Sequence, residues 1–309
     1  MDNFDCSGRP GGPIVVVGSL NMDLVMRTPR IPASGETLRG HDFRTVPGGK
    51  GANQAVACAR LGGKVILVGQ VGDDDFGTTL REGLLRDGIE AAGVTRSATA
   101  GTGVAVILVE DAGQNRILLA SGANGTLAVA DIDRAGAWIE HAAMLIVQLE
   151  VPMAVVQRAV AIAHRAGVPV LLNPAPAAGL PEGLLSQVSI LVPNESEAAT
   201  LGGLEVSDPG SAIVAARRFR QQGVGTVVVT LGQQGVVVVD PAGERHLPAH
   251  RVQAVDTTAA GDTFIGGLAV GCVEGKSMDA AVAMGQRASA VCVTRPGAQP
   301  SIPYRHELD

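Results

Sequence analysis

The sequence predicts an α/β fold, in which a doubly wound, mostly parallel sheet is flanked by helices and carries a small antiparallel β lid. Short β-branched runs alternate with helical stretches along most of the chain. Hydrophobic residues make up 46% of the 309 residues, which is enough to cover both faces of a buried sheet. Two segments interrupt the alternation. We therefore expect one large domain with a small projecting sheet.

The β-branched runs are short and apolar, as is typical of parallel strands that are buried on both faces. They cover residues 14–18, 65–69, 144–148, 170–173, 190–193 and 226–230. Amphipathic or alanine-rich segments lie between them, at residues 51–61, 76–87, 153–166 and 211–222. This order predicts βαβ units, which place the strands side by side in one sheet.

The two interrupting segments, residues 37–46 and 103–120, have no crossover helix beside them. The second contains two apolar runs on either side of a turn centred on Gly113, so we predict antiparallel strands that form a lid. Such a sheet leaves one half-apolar face uncovered, and a partner subunit commonly buries a face of this kind. We therefore expect a homodimer formed through the lids. Residues 1–12 are predicted to be a flexible tail, and residues 13–309 a single domain.

Composition argues against several classes of protein. The formal charge is −6 and no run of Lys or Arg occurs, so nucleic acid is not an expected partner. There is no signal-peptide core and no run of about 18 apolar residues, which predicts no membrane segment and a cytoplasmic location. Cys6, Cys58, Cys272 and Cys292 lack metal-ligand or redox spacing, so no disulfide is expected. The expected partners are small molecules.

The strongest local signal is the segment 256–264, DTTAAGDTF, which leads into an apolar helical run. Its small residues allow close approach of a ligand to the backbone. The first N–H groups of a helix are free donors, so Ala259–Asp262 can bind the charge of a phosphoryl group. Asp262 would then accept a proton from an attacking hydroxyl. The alternative is that Asp262 only caps the helix.

Phosphate binding must use an unusual loop, because neither a P-loop nor a dinucleotide-binding glycine fingerprint is present. The segment 47–53, PGGKGAN, offers flexible backbone, one cation and one amide before a helix. Asn21 and Asp23 follow the first strand, at the edge of the sheet where ligands of α/β proteins bind. They would suit the vicinal hydroxyls of a sugar, or they form only an Asx turn.

Residues 48–53 and 256–264 resemble the two signatures of the ribokinase-like, or PfkB, carbohydrate kinases. Further matches occur in order at residues 18–23, 148–150, 173–176, 193–197, 230–232 and 293–301, so the resemblance spans nearly the whole chain. It implies the ribokinase-like fold. It also implies ATP-dependent phosphorylation of D-ribose at O5, which gives D-ribose 5-phosphate and ADP.

The resemblance assigns roles to individual residues. It implies that Asp262 is the catalytic base and that the backbone amides of Ala259, Ala260 and Gly261 form an anion hole for the γ-phosphoryl group. The residues implied to bind ribose are Asn21, Asp23, Gly49, Lys50, Asn53, Glu150 and Asp262. Lys50 would also reach the transferred phosphate. Without the resemblance, Glu150 would be interpreted as an acid at a helix N-terminus.

The resemblance also implies the cofactors ATP, Mg²⁺ and an activating K⁺. Asn194 and Glu197 would hold Mg²⁺ through water, although their spacing is equally that of a helix-capping pair. The residues implied to bind the nucleotide are Asn194, Thr230, Gly232, Gly235, Gly261 and Gln286. Those implied to surround K⁺, mostly through carbonyl groups, are Asp256, Thr258, Cys292, Arg295, Gly297 and Ser301. The chain departs from the wider family at Thr258, Ala259 and Gln286.

Three other functions are compatible with parts of the sequence. A kinase for 2-deoxyribose, another sugar or a nucleoside would share the phosphoryl-transfer residues. The Asn21 and Asp23 pair favours a sugar with both ring hydroxyls, and only 2% aromatic residues argues against a nucleobase. A non-catalytic sugar-binding regulator would not need Asp262. A nicotinamide-dependent dehydrogenase would need the missing glycine fingerprint.

Overall fold

The computed structural model describes residues 11–112 and 114–308. Its strands are β1 (Ile14–Val17), β2 (Asn21–Thr28), β3 (His41–Gly48), β4 (Val65–Gly72), β5 (Val94–Ser97), β6 (Gly103–Glu110), β7 (Asn115–Ala120), β8 (Met144–Val147), β9 (Val170–Leu172), β10 (Ile190–Leu191), β11 (Thr226–Thr230), β12 (Val236–Asp240) and β13 (Gly243–Leu247). Its helices are α1 (Lys50–Arg60), α2 (Asp75–Arg86), α3 (Val129–Arg134), α4 (Gly136–Glu140), α5 (Met153–Arg165), α6 (Glu195–Gly202), α7 (Pro209–Gln221), α8 (Ala260–Val273) and α9 (Met278–Cys292).

The main sheet is doubly wound, as predicted. Among the described residues it has nine strands in the order β13-β12-β11-β10-β9-β8-β1-β4-β5. All neighbours pair in parallel except β11 with β12 and β12 with β13, which form an antiparallel edge. The six predicted strands all lie in this sheet. The edge strands β5, β12 and β13 were not predicted.

The sheet is buried on both faces, which explains why its strands are continuously apolar. Successive side chains of β1 point to opposite faces, so Ile14 and Val16 join one apolar core while Val15 and Val17 join the other. Helices α1, α2, α8 and α9 cover the first face, and α3 to α7 cover the second. The strand ends between these two helical layers are therefore the place where polar side chains can meet.

The lid is a separate sheet with the order β3-β2-β6-β7 among the described residues. Strand β3 is shorter at its start than the predicted strand over residues 37–46, and the turn predicted at Gly113 lies outside the described residues. The predicted antiparallel pairing of the two runs in residues 103–120 is present as β6 with β7, but the lid is a mixed sheet, because β2, which was not predicted, pairs in parallel with β6. Both strands leave the main domain side by side, starting at the paired residues Asn21 and Gly103, and they therefore run in the same direction.

The tail predicted over residues 1–12 lies mostly outside the described residues. Within the described part of the chain, no helix has the length and apolar character needed to cross a membrane.

Candidate active site

A cavity of about 190 Å³ opens at the carboxyl ends of β9, β10 and β11, where the first turn of α8 faces the sheet. This is the edge at which open α/β sheets bind ligands. The residues that line it include Lys50, Asn173, Asn194, Glu197, Thr257, Ala259, Ala260, Gly261 and Asp262. The structure thus brings residues from both sequence signatures to one cavity.

The N-terminus of α8 is built around Ala259, which has a left-handed backbone with φ 59°. Its carbonyl accepts the Thr263 N–H at 2.8 Å, and the Ala260 N–H donates to Thr257 at 3.2 Å. No described backbone carbonyl accepts from Gly261 or Asp262, so these two amides remain available to an anion. Of the amides expected to form the anion hole, the Ala260 N–H already donates its hydrogen bond to the Thr257 carbonyl.

Asp262 is buried and accepts hydrogen bonds on both carboxylate oxygens. Asn53 Nδ2 donates to Oδ2 at 3.0 Å, and Gln54 Nε2 donates to Oδ1 at 2.9 Å. Both amides lie in the first turn of α1, so the glycine-rich signature and the DTTAAGDTF signature meet through these two bonds. Gln54 was not predicted as a site residue, because a single glutamine in a helix has no motif to mark it.

Gly49 immediately precedes α1 and allows its N-terminus to lie against β2. Its φ is 89°, and a Cβ there would lie 2.7 Å from the Asn21 N atom and 2.9 Å from Leu20 Cα. Only glycine combines this backbone with such a close approach. The absence of a side chain at Gly49 therefore allows Lys50, the next residue, to lie close to Asn21.

The sugar-binding residues implied by the resemblance surround Lys50. Glu150 accepts hydrogen bonds from the Ser19 hydroxyl and, at 3.2 Å, from the Lys50 N–H. Asn21 accepts from Asn124 Nδ2 at 2.7 Å. Asn124 and Ser19 were not predicted, since neither lies in a recognisable pattern. All the implied sugar-binding residues nevertheless lie in one connected group.

This group carries an excess of negative charge. Burial, followed by the charges of Glu150 and Asp262, raises the pKa of Asp23 to about 7. Burial alone would lower the pKa of Lys50, but the charges of Asp262, Glu150 and Glu197 outweigh it, so that pKa is raised. Lys50 is therefore a stable cation beside the carboxylates.

A larger cleft of about 900 Å³ continues from the cavity along the end of β11. The two spaces share Asn194, Thr230, Thr257, Ala260 and Gly261. Gly232, Gly235 and Gln286 also line the cleft. Gln286 Nε2 donates to the carbonyls of Leu247 and Pro248, both at 3.1 Å. All six residues implied to bind the nucleotide therefore border this cleft.

Asn194 and Glu197 form a reciprocal capping box at the start of α6. Glu197 Oε2 accepts the Asn194 N–H at 2.9 Å, and Asn194 Oδ1 accepts the Glu197 N–H at 2.9 Å. Burial raises the pKa of Glu197 above its usual value. The capping interpretation is therefore correct for their mutual contact, and both residues still line the cavity.

The residues implied to surround K⁺ form a second connected group behind α8. Asp256 accepts the Thr258 N–H at 2.9 Å on one oxygen and the Gly297 N–H at 2.8 Å on the other. Cys292 Sγ lies 3.7 Å from the Thr258 carbonyl oxygen and 3.0 Å from Ser301 Oγ. The Arg295 guanidinium instead pairs with Glu307 at 2.6 Å. Only the backbone of Arg295 is therefore free to contribute.

The fold and the site together define a class of protein. The chain belongs to the pfkB family of carbohydrate kinases, whose model matches residues 13–305. It is 45% identical over 294 residues to a ribokinase from Haemophilus influenzae, covering 95% of this chain and 96% of that protein. It is 38% identical over 291 residues to a deoxyribokinase from Salmonella typhi, covering 94% and 95%.

A solved structure agrees with these sequence matches. Ribokinase from Arabidopsis thaliana, complexed with ribose and ATP, matches with a TM-score of 0.90 at 32% identity. The match covers 96% of this chain and 97% of that chain.

Proposed function

We propose that this protein transfers the γ-phosphoryl group of ATP to O5 of D-ribose, giving D-ribose 5-phosphate and ADP. One observation carries the proposal. Buried Asp262 lines a small polar cavity beside two free helix amides, and its neighbour Gly261 lines both this cavity and a long cleft. The small cavity suits the reacting groups, the cleft suits a nucleotide, and Gly261 joins the two next to Asp262.

The chemistry follows from this arrangement. Asp262 accepts the proton of the sugar hydroxyl. The hydroxyl oxygen forms a bond to the γ-phosphorus of ATP, and the bond from this phosphorus to the bridging oxygen breaks, so that ADP leaves. The amides of Gly261 and Asp262, at the positive end of α8, stabilise the negative charge on the transferring group. Lys50 adds a full positive charge on the same side. Asn21, Asp23, Asn53 and Glu150 hold the sugar hydroxyls.

Mg²⁺ and K⁺ belong to the proposal as supporting cations. Asn194 and Glu197 offer amide and carboxylate oxygens at the cavity, which suit the water shell of Mg²⁺. Bound Mg²⁺ would neutralise phosphate charge. The carbonyls around Asp256, Thr258, Cys292, Gly297 and Ser301 suit K⁺, which commonly replaces its hydration shell with such groups. Because Asp256 and Thr258 directly precede α8, K⁺ bound there would stabilise the segment that carries the free amides.

A 2-deoxyribose kinase is the second candidate, since a deoxyribokinase is among the relatives. Asn21 and Asp23 lie together on β2, where they pair with two neighbouring ring hydroxyls, and a buried polar pair disfavours a sugar that lacks one of them. Phe43, which is 57% exposed, is the single Phe, Tyr or Trp in the described lid strands, so the lid has no second ring with which to sandwich a nucleobase. These observations favour ribose over 2-deoxyribose and over a nucleoside.

The lid supports a proposed homodimer. It exposes Phe43, Ile117, Leu118 and Leu119, and the Leu118 side chain is 72% exposed. Phe43 lies on the edge strand β3 and the other three side chains lie on the opposite edge strand β7, so the lid exposes apolar side chains at both edges, which indicates a surface that another copy of the chain covers. The Leu118→Asp variant should then have half the wild-type mass in light scattering. A monomeric wild type would contradict the dimer. The cytoplasm remains the proposed location.

The decisive experiment measures ADP release with ATP, Mg²⁺ and D-ribose, with and without K⁺. Ribose-dependent release that K⁺ increases is the expected result. The Asp262→Asn variant keeps the shape of the side chain but removes the base, and its rate should fall by about 10²–10⁴-fold. Turnover of 2-deoxyribose or adenosine in preference to ribose would overturn the substrate assignment. Ribose binding without ADP release would indicate a regulator instead.

A further inference from the structure

Gln54 connects Asp262, the proposed catalytic base, to the strand ends at the edge of the main sheet. It is fully buried in α1, and its side chain makes three hydrogen bonds. Nε2 donates to Asp262 Oδ1 at 2.9 Å and to Asn173 Oδ1 at 3.1 Å, while Oε1 accepts from Gln148 Nε2 at 2.5 Å. Asn173 directly follows β9 and Gln148 directly follows β8. Two adjacent strand ends therefore hold the side chain that contacts the base.

The direction of these bonds is fixed by groups that can only accept. The carbonyl of Val192 accepts from Asn173 Nδ2 at 2.9 Å, so the Asn173 side chain must present Oδ1 to Gln54. Gln54 must then present its NH₂ group to Asn173, and the second hydrogen of that group points to Asp262. The backbone at Val192 thus determines, through two amides, that a donor faces Oδ1 of Asp262.

The second hydrogen bond to Asp262, which comes from Asn53, is less constrained. Asn53 Nδ2 donates to Asp262 Oδ2, but Asn53 Oδ1 is buried and has no partner among the described residues. Among the described residues, the side chain of Asn53 is therefore held only by Asp262 itself, whereas that of Gln54 is held at three points. Gly18 leaves room for the Gln148 side chain that contacts Gln54, since a Cβ on Gly18 would lie 2.1 Å from Gln148 Oε1.

We propose that Gln54 is a positioning residue for phosphoryl transfer: it holds Asp262 in the rotamer that accepts the sugar proton, without contacting the sugar. This role rests on the proposed function of Asp262 as the base. A donor that cannot turn away keeps Asp262 Oδ1 at one position, because the buried Gln54 N–H group needs this acceptor. Loss of Gln54 should therefore affect the chemical step more than sugar binding.

The Gln54→Met variant tests this role, because methionine preserves the length and volume of the side chain but removes the amide. We expect kcat to fall about 100-fold, as for a misplaced catalytic group, with the ribose Kd changed by less than about threefold. The rate is measured by ADP release at saturating ATP and ribose. Ribose affinity is measured without nucleotide by calorimetry, and this binding also reports that the variant is folded.

Gln70→Met is the matched control. Gln70 is also a buried glutamine, but its hydrogen bonds go to Thr95 at 3.1 Å and Thr126 at 2.6 Å rather than to Asp262. Its loss should lower thermal stability and leave kcat unchanged. An equal fall of kcat in both variants, or a loss of ribose affinity in Gln54→Met that parallels the loss of kcat, would overturn the positioning role.

A second variant covers the case in which Gln54→Met does not fold. Gln148→Met removes only the bond to Gln54 Oε1, so Gln54 is held at two points instead of three, and kcat should fall by a smaller factor, about tenfold. An unchanged kcat in Gln148→Met would contradict the proposal. Failure of the wild type to release ADP with ribose would contradict the proposed function itself, which separates the two conclusions.

Discussion

Asn124 Nδ2 donates a hydrogen bond to Asn21 Oδ1 at 2.7 Å, and this contact decides which end of the Asn21 amide remains for a ligand. The Leu20 N–H can only donate, and it donates to Asn124 Oδ1 at 2.9 Å. Asn124 must therefore present its NH₂ group to Asn21, and the NH₂ group of Asn21 remains for the ligand. The amide of Asn21 is thus fixed as a hydrogen-bond donor, and the proposed function predicts that it donates to a sugar oxygen.

Substitution of Asn124 should therefore weaken sugar binding. In Asn124→Leu, the Leu20 backbone groups and Asn21 lose their partner, which should raise the ribose KM about tenfold, the effect of about 1.4 kcal/mol, with a smaller change in kcat. Steady-state kinetics at saturating ATP measure both constants. A fall in kcat with an unchanged KM would show that Asn124 does not act through Asn21.

Replacement of Gly49 by alanine should disrupt the same site from the other side. The new Cβ would lie 2.7 Å from the Asn21 N atom, at a backbone φ of 89°. Gly35 is the matched control, because its φ is 79° and no heavy atom lies within 4 Å of its Cβ position. Gly35→Ala should lower the free energy of unfolding by about 1–2 kcal/mol and leave turnover unchanged. Gly49→Ala should lose more stability and more than about tenfold in ribose kcat/KM. Equal kinetics in the two variants would contradict the packing argument.

Asp23 should make stability depend on pH. Its pKa is raised to about 7 from the usual 3.8, first by burial and then by Glu150 and Asp262. Between these values the folded state binds more protons than the unfolded state, so the stability contributed by protonated Asp23 is complete below about pH 4 and is lost as the pH rises to about 7. The Asp23→Asn variant stays neutral, and its free energy of unfolding should rise relative to wild type by up to about 1.4 kcal/mol per pH unit in this window. Denaturant unfolding from pH 4 to pH 8 measures the difference, and a constant difference would contradict a raised pKa.

The sequence predicted the main sheet because each of its strands is a short apolar run, and burial on both faces requires such runs. It also predicted the two segments that meet at the candidate cavity, because each of the two signatures is a contiguous run of residues. Strand β2 was missed, since its parallel partner β6 lies far away in sequence and Asn21 and Asp23 resemble a turn when considered alone. Gln54 and Asn124 were missed for a related reason: each is a single amide whose role depends on which distant backbone group fixes its direction.

Arg60 provides the last prediction, because it links α1 to the segment proposed to bind K⁺. Its guanidinium pairs with Asp87 at 2.9 Å and donates to the carbonyls of Gln299 at 2.7 Å and Ile302 at 2.9 Å, on either side of Ser301. The Arg60 and Asp87 side chains are only 14% and 9% exposed. Loss of the Arg60 guanidinium therefore removes the cation beside the buried Asp87 carboxylate and the donor to the carbonyls of Gln299 and Ile302.

The Arg60→Met variant should lose about 3–5 kcal/mol of stability and need a several-fold higher K⁺ concentration for half-maximal activity, because the segment around Ser301 is no longer held in place. Arg96→Met is the control, since the Arg96 and Asp73 side chains are 41% and 75% exposed. An exposed pair contributes about 1 kcal/mol or less, so this control should keep the wild-type response to K⁺. Titration of ADP release with KCl at constant ionic strength measures the response. If Arg60→Met is destabilised but keeps the wild-type K⁺ response, Arg60 supports the fold without positioning the cation segment.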